Sequence, residues 1–199
     1  MTTARIPPHR ANRLAARRPL ATTATLAAAL LAANAAAQVG GAPSVEMAAR
    51  GKYLVATPGC MDCHTPLKMG PKGPEPDLSR TLSGHPEALV MPAVPKLPEG
   101  PWLVISSATN TAFAGPWGVS FAADLTPDPD TGLGEWTLRD FRETIRTGRH
   151  MGRGREVLPP MPIPVYANFT DDDLAAIYAY LRTLPPVRNR VPEPWPAAK

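Results

Sequence analysis

The chain has 199 residues, of which 44% are hydrophobic and 19% are charged, a balance typical of globular domains rather than disordered chains. Its net charge is +4, but residues 1–37 hold five arginines and no acid, which leaves 16 basic and 17 acidic side chains in residues 38–199. The basic charge therefore belongs to the first segment and does not indicate a nucleic-acid partner. Only two cysteines occur, which excludes a scaffold of several disulfides.

The first 37 residues have the pattern of a secretory signal peptide. Arginines precede an apolar run at 20–33, and Ala35 and Ala37 form an Ala-x-Ala site that predicts cleavage after Ala37. The run has 14 residues, fewer than the roughly 20 that cross a bilayer, so we expect no stable membrane span. An uncleaved anchor is the alternative. Export predicts a periplasmic location for the remainder.

The next segment predicts one helix and then a long irregular stretch. The helix is expected over 44–57, with Ser44 as N-cap, and to end at Pro58-Gly59. Its apolar face is expected to carry Val45, Ala48, Ala49, Tyr53 and Val55. Residues 65–101 are rich in proline and predict an extended loop. Two short runs, 102–106 and 118–122, predict a small β-hairpin.

Two further helices share one start signal. Thr137 with Asp140, and Thr170 with Asp173, match the capping-box pattern. The first helix is expected to end at Gly148 and the second at 185–186. Apolar residues at helical spacing predict core stripes, namely Leu138, Phe141 and Ile145 in the first helix and Leu174, Ile177, Tyr178, Leu181 and Leu184 in the second. The tail, 187–199, is expected to lie loosely on the surface.

Both cysteines stand in Cys60-Met61-Asp62-Cys63-His64, the spacing that attaches haem covalently. Two thiols one turn apart add to the vinyl groups, and the adjacent imidazole reaches the iron. A redox dithiol or disulfide would instead open a helix after a strand, and a zinc site would need a second ligand pair. The motif therefore predicts one haem c, bound by Cys60 and Cys63 and ligated by His64.

The chain resembles the monohaem class I c-type cytochromes. The resemblance rests on the first helix with Gly51, the haem motif, the Thr137 helix, the Pro-Met-Pro loop and the last helix. It is similar, more narrowly, to exported bacterial cytochromes and cytochrome subunits of dehydrogenases that carry LTPDPxTGxGxW, Gly-Arg-Gly-Arg and PPMP. The resemblance implies a mostly α, class I cytochrome c fold over 38–186, with 66–122 as a proline-rich, loop-rich insertion. The first and last helices should cross near Gly51 and Tyr178.

Met161 is the predicted second axial ligand of the iron. It stands in Pro159-Pro160-Met161-Pro162, where fixed φ angles stiffen the backbone, and the resemblance places the ligand loop just before the last helix. His150, Met151 and an open sixth position are the alternatives; an open iron would bind ligands rather than carry electrons. The family also implies that a proline carbonyl, from Pro71 or Pro74, orients the His64 ring.

The remaining predictions concern the haem edge and the partners. Trp136, Arg153 and Arg155 are candidates to contact the propionates, although Trp136 is equally suited to the core. Two protein ligands leave the iron no open site, so we expect a one-electron carrier rather than an enzyme. Its donor and acceptor would be redox proteins such as a dehydrogenase or a terminal oxidase. The alternative function is a haem-bearing, electron-accepting subunit of a dehydrogenase complex.

Overall fold

A computed structural model describes residues 44–95 and 100–197. The predicted signal peptide of residues 1–37 lies outside these ranges. Among the described helices, none has the length and apolar character needed to cross a membrane.

The described residues form five helices and two small antiparallel sheets. Strand β1 pairs with β2, and β3, β4 and β5 form the second sheet in that order. In chain order the elements are α1 (Val45–Ala56), α2 (Cys60–His64), β1 (Leu67–Gly70), β2 (Gly73–Pro76), β3 (Ile105–Ser106), β4 (Ala112–Gly115), β5 (Gly118–Phe121), α3 (Leu138–Thr147), α4 (Ile163–Tyr166) and α5 (Asp171–Leu181). This architecture is compatible with the expected cytochrome c fold.

Helix α1 starts as predicted, because the Ser44 side chain accepts a hydrogen bond from the Met47 amide. Of the predicted apolar face Val55 is buried and Ala48 is half-buried, whereas Val45, Ala49 and Tyr53 are exposed. Val45 is 87% exposed, and the buried positions are Gly51, Leu54 and Val55. These three follow the i, i+3, i+4 spacing of one helix face, and a stripe centred on a glycine is easily missed because glycine adds nothing to hydrophobicity.

Helices α1 and α5 cross at Gly51. A Cβ there would overlap the Ala176 carbonyl and lie 2.8 Å from the Cβ of Tyr180, so only glycine permits this approach. The crossing lies where it was predicted, near position 178 of α5, and its closest contacts come from Ala176 and Tyr180 on either side of that position. The Tyr178 hydroxyl donates to the Trp136 carbonyl at 2.6 Å.

Both predicted capping boxes are confirmed. The Thr137 hydroxyl accepts from the Asp140 amide and the Asp140 carboxylate accepts from the Thr137 amide; Thr170 and Asp173 repeat this exchange. Helix α3 ends before Gly148 as expected, whereas α5 ends at Leu181, four residues before the prolines. Their buried faces, which include Phe141, Ile145, Leu174, Ile177 and Leu181, form one core with Leu54 and Val55.

The interval 66–122 holds more regular structure than predicted, including within the extended loop expected at 65–101. Strands β1 and β2 form a hairpin in which Leu67 faces Pro76 and Gly70 faces Gly73. The predicted pairing of 102–106 with 118–122 is also wrong, because β4 lies between β3 and β5 and pairs with both. The small residues of Ala112–Gly115 have weak strand propensity, which is why the sequence pattern did not reveal this middle strand.

The tail is packed rather than loose. The Asn189 side chain is almost fully buried and donates to the carbonyls of Ser83 and His85 at 2.6 and 2.9 Å. Its oxygen accepts from Arg80 and from the Glu87 amide, each at 2.8 Å. The prediction of a loose tail was wrong because Asn189 satisfies buried backbone groups that are distant in sequence, and its own neighbours in the chain give no sign of this role.

Candidate haem site

The cysteine motif forms the single-turn helix α2. Cys60 and Cys63 are one turn apart, both are free thiols, and both line one cavity. Burial raises the pKa of Cys60 to about 11 and also raises that of Cys63. Both thiols are therefore protonated at neutral pH, whereas a redox dithiol requires a lowered pKa.

The cavity beside α2 has a volume of about 380 Å³ and is mostly apolar. Its walls come from α1, α3, α5, strand β5 and the loop before α4. The apolar lining includes Val55, Phe141, Ile145, Leu174, Ile177 and Leu181, which are also part of the core. The capped helices thus place an apolar surface directly against the two thiols.

His64 is held by a carbonyl that the sequence did not predict. Its Nδ1 lies 2.8 Å from the Ala123 carbonyl oxygen, rather than near Pro71 or Pro74; Pro74 belongs to the β1–β2 hairpin. Burial lowers the pKa of His64, although the bond to Ala123 opposes this effect. A neutral ring must carry its proton on Nδ1 to donate to this carbonyl, which leaves the Nε2 lone pair available for a metal.

Met161 lines the same cavity as His64. Its loop is fixed on both sides, because the Ser120 hydroxyl donates to the Pro159 carbonyl and the Ile163 amide donates to the Met161 carbonyl at 2.9 Å. Of the alternative ligands, His150 lines the cavity and Met151 does not.

The predicted propionate residues are placed differently from one another. Trp136 and Arg155 line the cavity, and the Trp136 ring meets His150 edge-on at 4.8 Å. Arg153 does not line it; its guanidinium lies 3.8 Å from the Asp140 carboxylate, with 70% of the side chain exposed. Arg155 pairs with Glu193 at 3.4 Å.

Several lining residues were missed by sequence reasoning. Arg190 and Glu193 reach the cavity from the tail, and nothing in the local sequence signals this because the tail returns from a distant part of the chain. Asp124 also lines the cavity and is 3% exposed. Burial raises its pKa to about 6, although hydrogen bonds from Thr126 and Thr131 oppose the shift.

These residues fit a covalent haem better than a protein-bound zinc ion. Within 44–95 and 100–197, no group of three or more His, Cys, Asp or Glu side chains is arranged to hold a metal. The cavity instead combines two thiols, the His64 imidazole with a free Nε2, the Met161 thioether and apolar walls, with His150 as a second imidazole. Thiols, an imidazole, a thioether and apolar walls are the contacts that haem c requires.

No protein-family model matches the chain, but curated proteins do. It is 36% identical over 87 residues to a nicotinate dehydrogenase subunit of Pseudomonas putida, which covers 44% of this chain and 7% of that protein. It is 29% identical over 151 residues to the cytochrome c subunit of alcohol dehydrogenase (quinone) from Gluconobacter oxydans, and the match covers 74% of this chain and 24% of that subunit. A dihaem c-type cytochrome of Cereibacter sphaeroides is 36% identical over 78 residues, and the match covers 39% of this chain and 26% of that cytochrome.

The chain spans less than a third of the length of the curated relatives it matches. The Gluconobacter and Cereibacter relatives are both named as cytochromes or cytochrome subunits. Their similarity supports a c-type cytochrome, that is, a haem protein of electron transport.

Proposed function

We propose that this chain is a periplasmic monohaem c-type cytochrome that carries single electrons between redox partners. Cys60 and Cys63 would hold the haem through thioether bonds, and His64 and Met161 would ligate its iron. The observation that carries the proposal is that all four side chains line one apolar cavity. Bound there, haem supplies one-electron cycling between ferric and ferrous iron.

The chain's own residues tune this group. The Ala123 carbonyl fixes the tautomer of His64 and makes the ring a better donor. The apolar walls exclude water and, together with a thioether ligand, raise the reduction potential. With His64 and Met161 both bound to the iron, no position would remain for a substrate, so the chain would transfer electrons rather than catalyse a reaction itself.

The haem propionates require cationic or hydrogen-bonding neighbours. We assign this role to Arg155 and Trp136, as the sequence predicts, and add Arg190, since all three line the cavity. Arg153, the other sequence candidate, is better placed to neutralise Asp140.

A second candidate function is an electron-accepting subunit bound permanently to a dehydrogenase. It is favoured by the names of the relatives, among them the cytochrome c subunits of alcohol and gluconate dehydrogenases. Size-exclusion chromatography of extracts from the native host, followed by haem absorbance, separates the two. A free carrier elutes at the size of this chain alone, whereas a subunit elutes with its dehydrogenase. N-terminal sequencing of the same material tests the predicted cleavage after Ala37.

Absorption spectra of holoprotein matured in a host with the haem-attachment machinery test the ligand set. We expect a low-spin reduced spectrum and a weak far-red sulfur-to-iron band in the ferric protein. Met161→Ala should abolish that band. Met69→Ala is the matched control, because Met69 is 79% exposed and lies outside the cavity lining. A far-red band that survives in Met161→Ala would contradict the proposal and point to another sulfur ligand such as Met151. A high-spin spectrum of the unmodified protein would also contradict it and point to an open sixth position.

A further inference from the structure

The tail forms one wall of the cavity that Met161 lines. Residues 190–194 all contact the cavity, as Met161 and Pro160 do. This segment is held at both of its ends, by Asn189 before it and by Trp195 after it. Because residues 190–194 are held at both ends and line the cavity, they are part of the folded structure around the site rather than a free terminus.

Trp195 attaches the tail to strand β5. Its amide and carbonyl exchange hydrogen bonds with Val119, each of 3.0 Å. Its ring meets Phe121, a cavity residue, edge-on at 5.7 Å. The tail can approach this closely because position 118 is glycine, with φ of +99°; a Cβ there would lie 2.6 Å from the Pro196 carbonyl carbon.

The same strand also holds the Met161 loop. Between Val119 and Phe121, Ser120 is 7% exposed and donates its hydroxyl to the Pro159 carbonyl. Two consecutive residues of β5 therefore connect the tail on one side and the loop on the other. Loss of the Ser120 bond would remove a direct contact of the loop. Loss of the Trp195 ring would loosen the tail that lines the cavity beside the loop.

We propose that strand β5 and the tail segment 189–195 together hold the Met161 loop toward the iron and close that side of the haem to small ligands. Ser120 and Trp195 are the positioning residues. This inference rests on the proposed ligation by Met161. A thioether is a neutral and weak ligand, so an added imidazole replaces it whenever the loop opens, and the apparent affinity for imidazole reports the open fraction.

Imidazole titration of the ferric holoprotein tests this, with the far-red band read in the same samples. Trp195→Ala should bind imidazole about tenfold more tightly, equivalent to about 1.4 kcal/mol, and Ser120→Ala should do so by about fivefold. Ser120→Thr, which keeps the hydroxyl, and Trp195→Phe, which keeps an aromatic ring, should recover most of the wild-type affinity. Trp102→Ala is the control, because Trp102 is 75% exposed and lies outside the cavity lining.

Suppose that both alanine variants bind imidazole with unchanged affinity while Met161→Ala abolishes the far-red band. This result would refute the proposal that β5 and segment 189–195 hold the Met161 loop, and it would leave ligation by Met161 intact. A band that persists in Met161→Ala would overturn both ideas. If Trp195→Ala does not retain haem, Ser120→Ala decides the question alone, since it removes a single hydroxyl from β5.

Discussion

The two sides of the candidate haem site are built in opposite ways. The His64 side is local: the two thiols and the imidazole lie within five consecutive residues of α2. The Met161 side is assembled from the loop at 159–162, strand β5 and the tail, which are distant in sequence. A short motif can therefore specify attachment and one ligand, whereas the second ligand depends on tertiary packing.

The largest expected effect tests the local side. His64→Ala should remove the low-spin spectrum and reduce the yield of holoprotein more than about tenfold, because the Nε2 donor that Ala123 orients is lost. The yield is measured by haem absorbance per protein. His150→Ala, which removes the other histidine in the cavity lining, should leave the spectrum unchanged; the reverse result would exchange the roles of the two histidines.

The next largest effect is expected at Asn189, which holds the tail in place on the Met161 side of the site. Asn189→Ala leaves the buried carbonyls of Ser83 and His85 without their donor, so we expect the free energy of unfolding to fall by about 2–4 kcal/mol. Urea unfolding of the holoprotein measures this change in the free energy of unfolding. Asn168→Ala, at an exposed position, should change stability by less than about 0.5 kcal/mol. Equal losses in the two variants would show that Asn189 anchors nothing specific.

A pH-dependent effect is expected from Asp124. Since its pKa rises from 3.8 to about 6 in the folded protein, the folded state binds this proton more tightly, and stability falls as pH rises between about 4 and 6. Asp124→Asn should remove this loss, stabilising the protein at pH 7 by about 3 kcal/mol and not at all at pH 3.5. Urea unfolding at both pH values tests this, and a pH-independent gain would contradict it. The exposed Asp130→Asn is the control.

The smallest effect concerns the propionate side. Arg155→Gln removes a positive charge at the cavity and leaves Glu193 without its partner, so the reduction potential should fall by about 30 mV, roughly threefold in the redox equilibrium. Arg153→Gln should leave the potential nearly unchanged, because Arg153 faces Asp140. Redox titration of both holoproteins measures this, and equal shifts would indicate a general charge effect.

What the sequence predicted follows the same division. Thr137 with Asp140 and Cys60 with Cys63 were recognised because each signal lies within a few residues, and local hydrogen bonding or ligand spacing determines it. The Ala123 carbonyl lies 59 residues from His64 and uses only backbone, which leaves no side-chain signature. Strand β4 was missed because alanine and glycine carry little pattern. The position of Arg190 in the cavity lining was missed because the path of the tail depends on the buried side-chain amide of Asn189.

The crossing at Gly51 has a consequence for the order of folding. Helix α1 ends just before the thiols, and it packs against the last helix of the chain; Arg50 and Asp173, paired across that crossing, are 123 residues apart. Contacts of such separation form late, since a long loop must close first. Under the proposed function, Cys60 and Cys63 would stay accessible for haem attachment until α5 packs and completes the cavity.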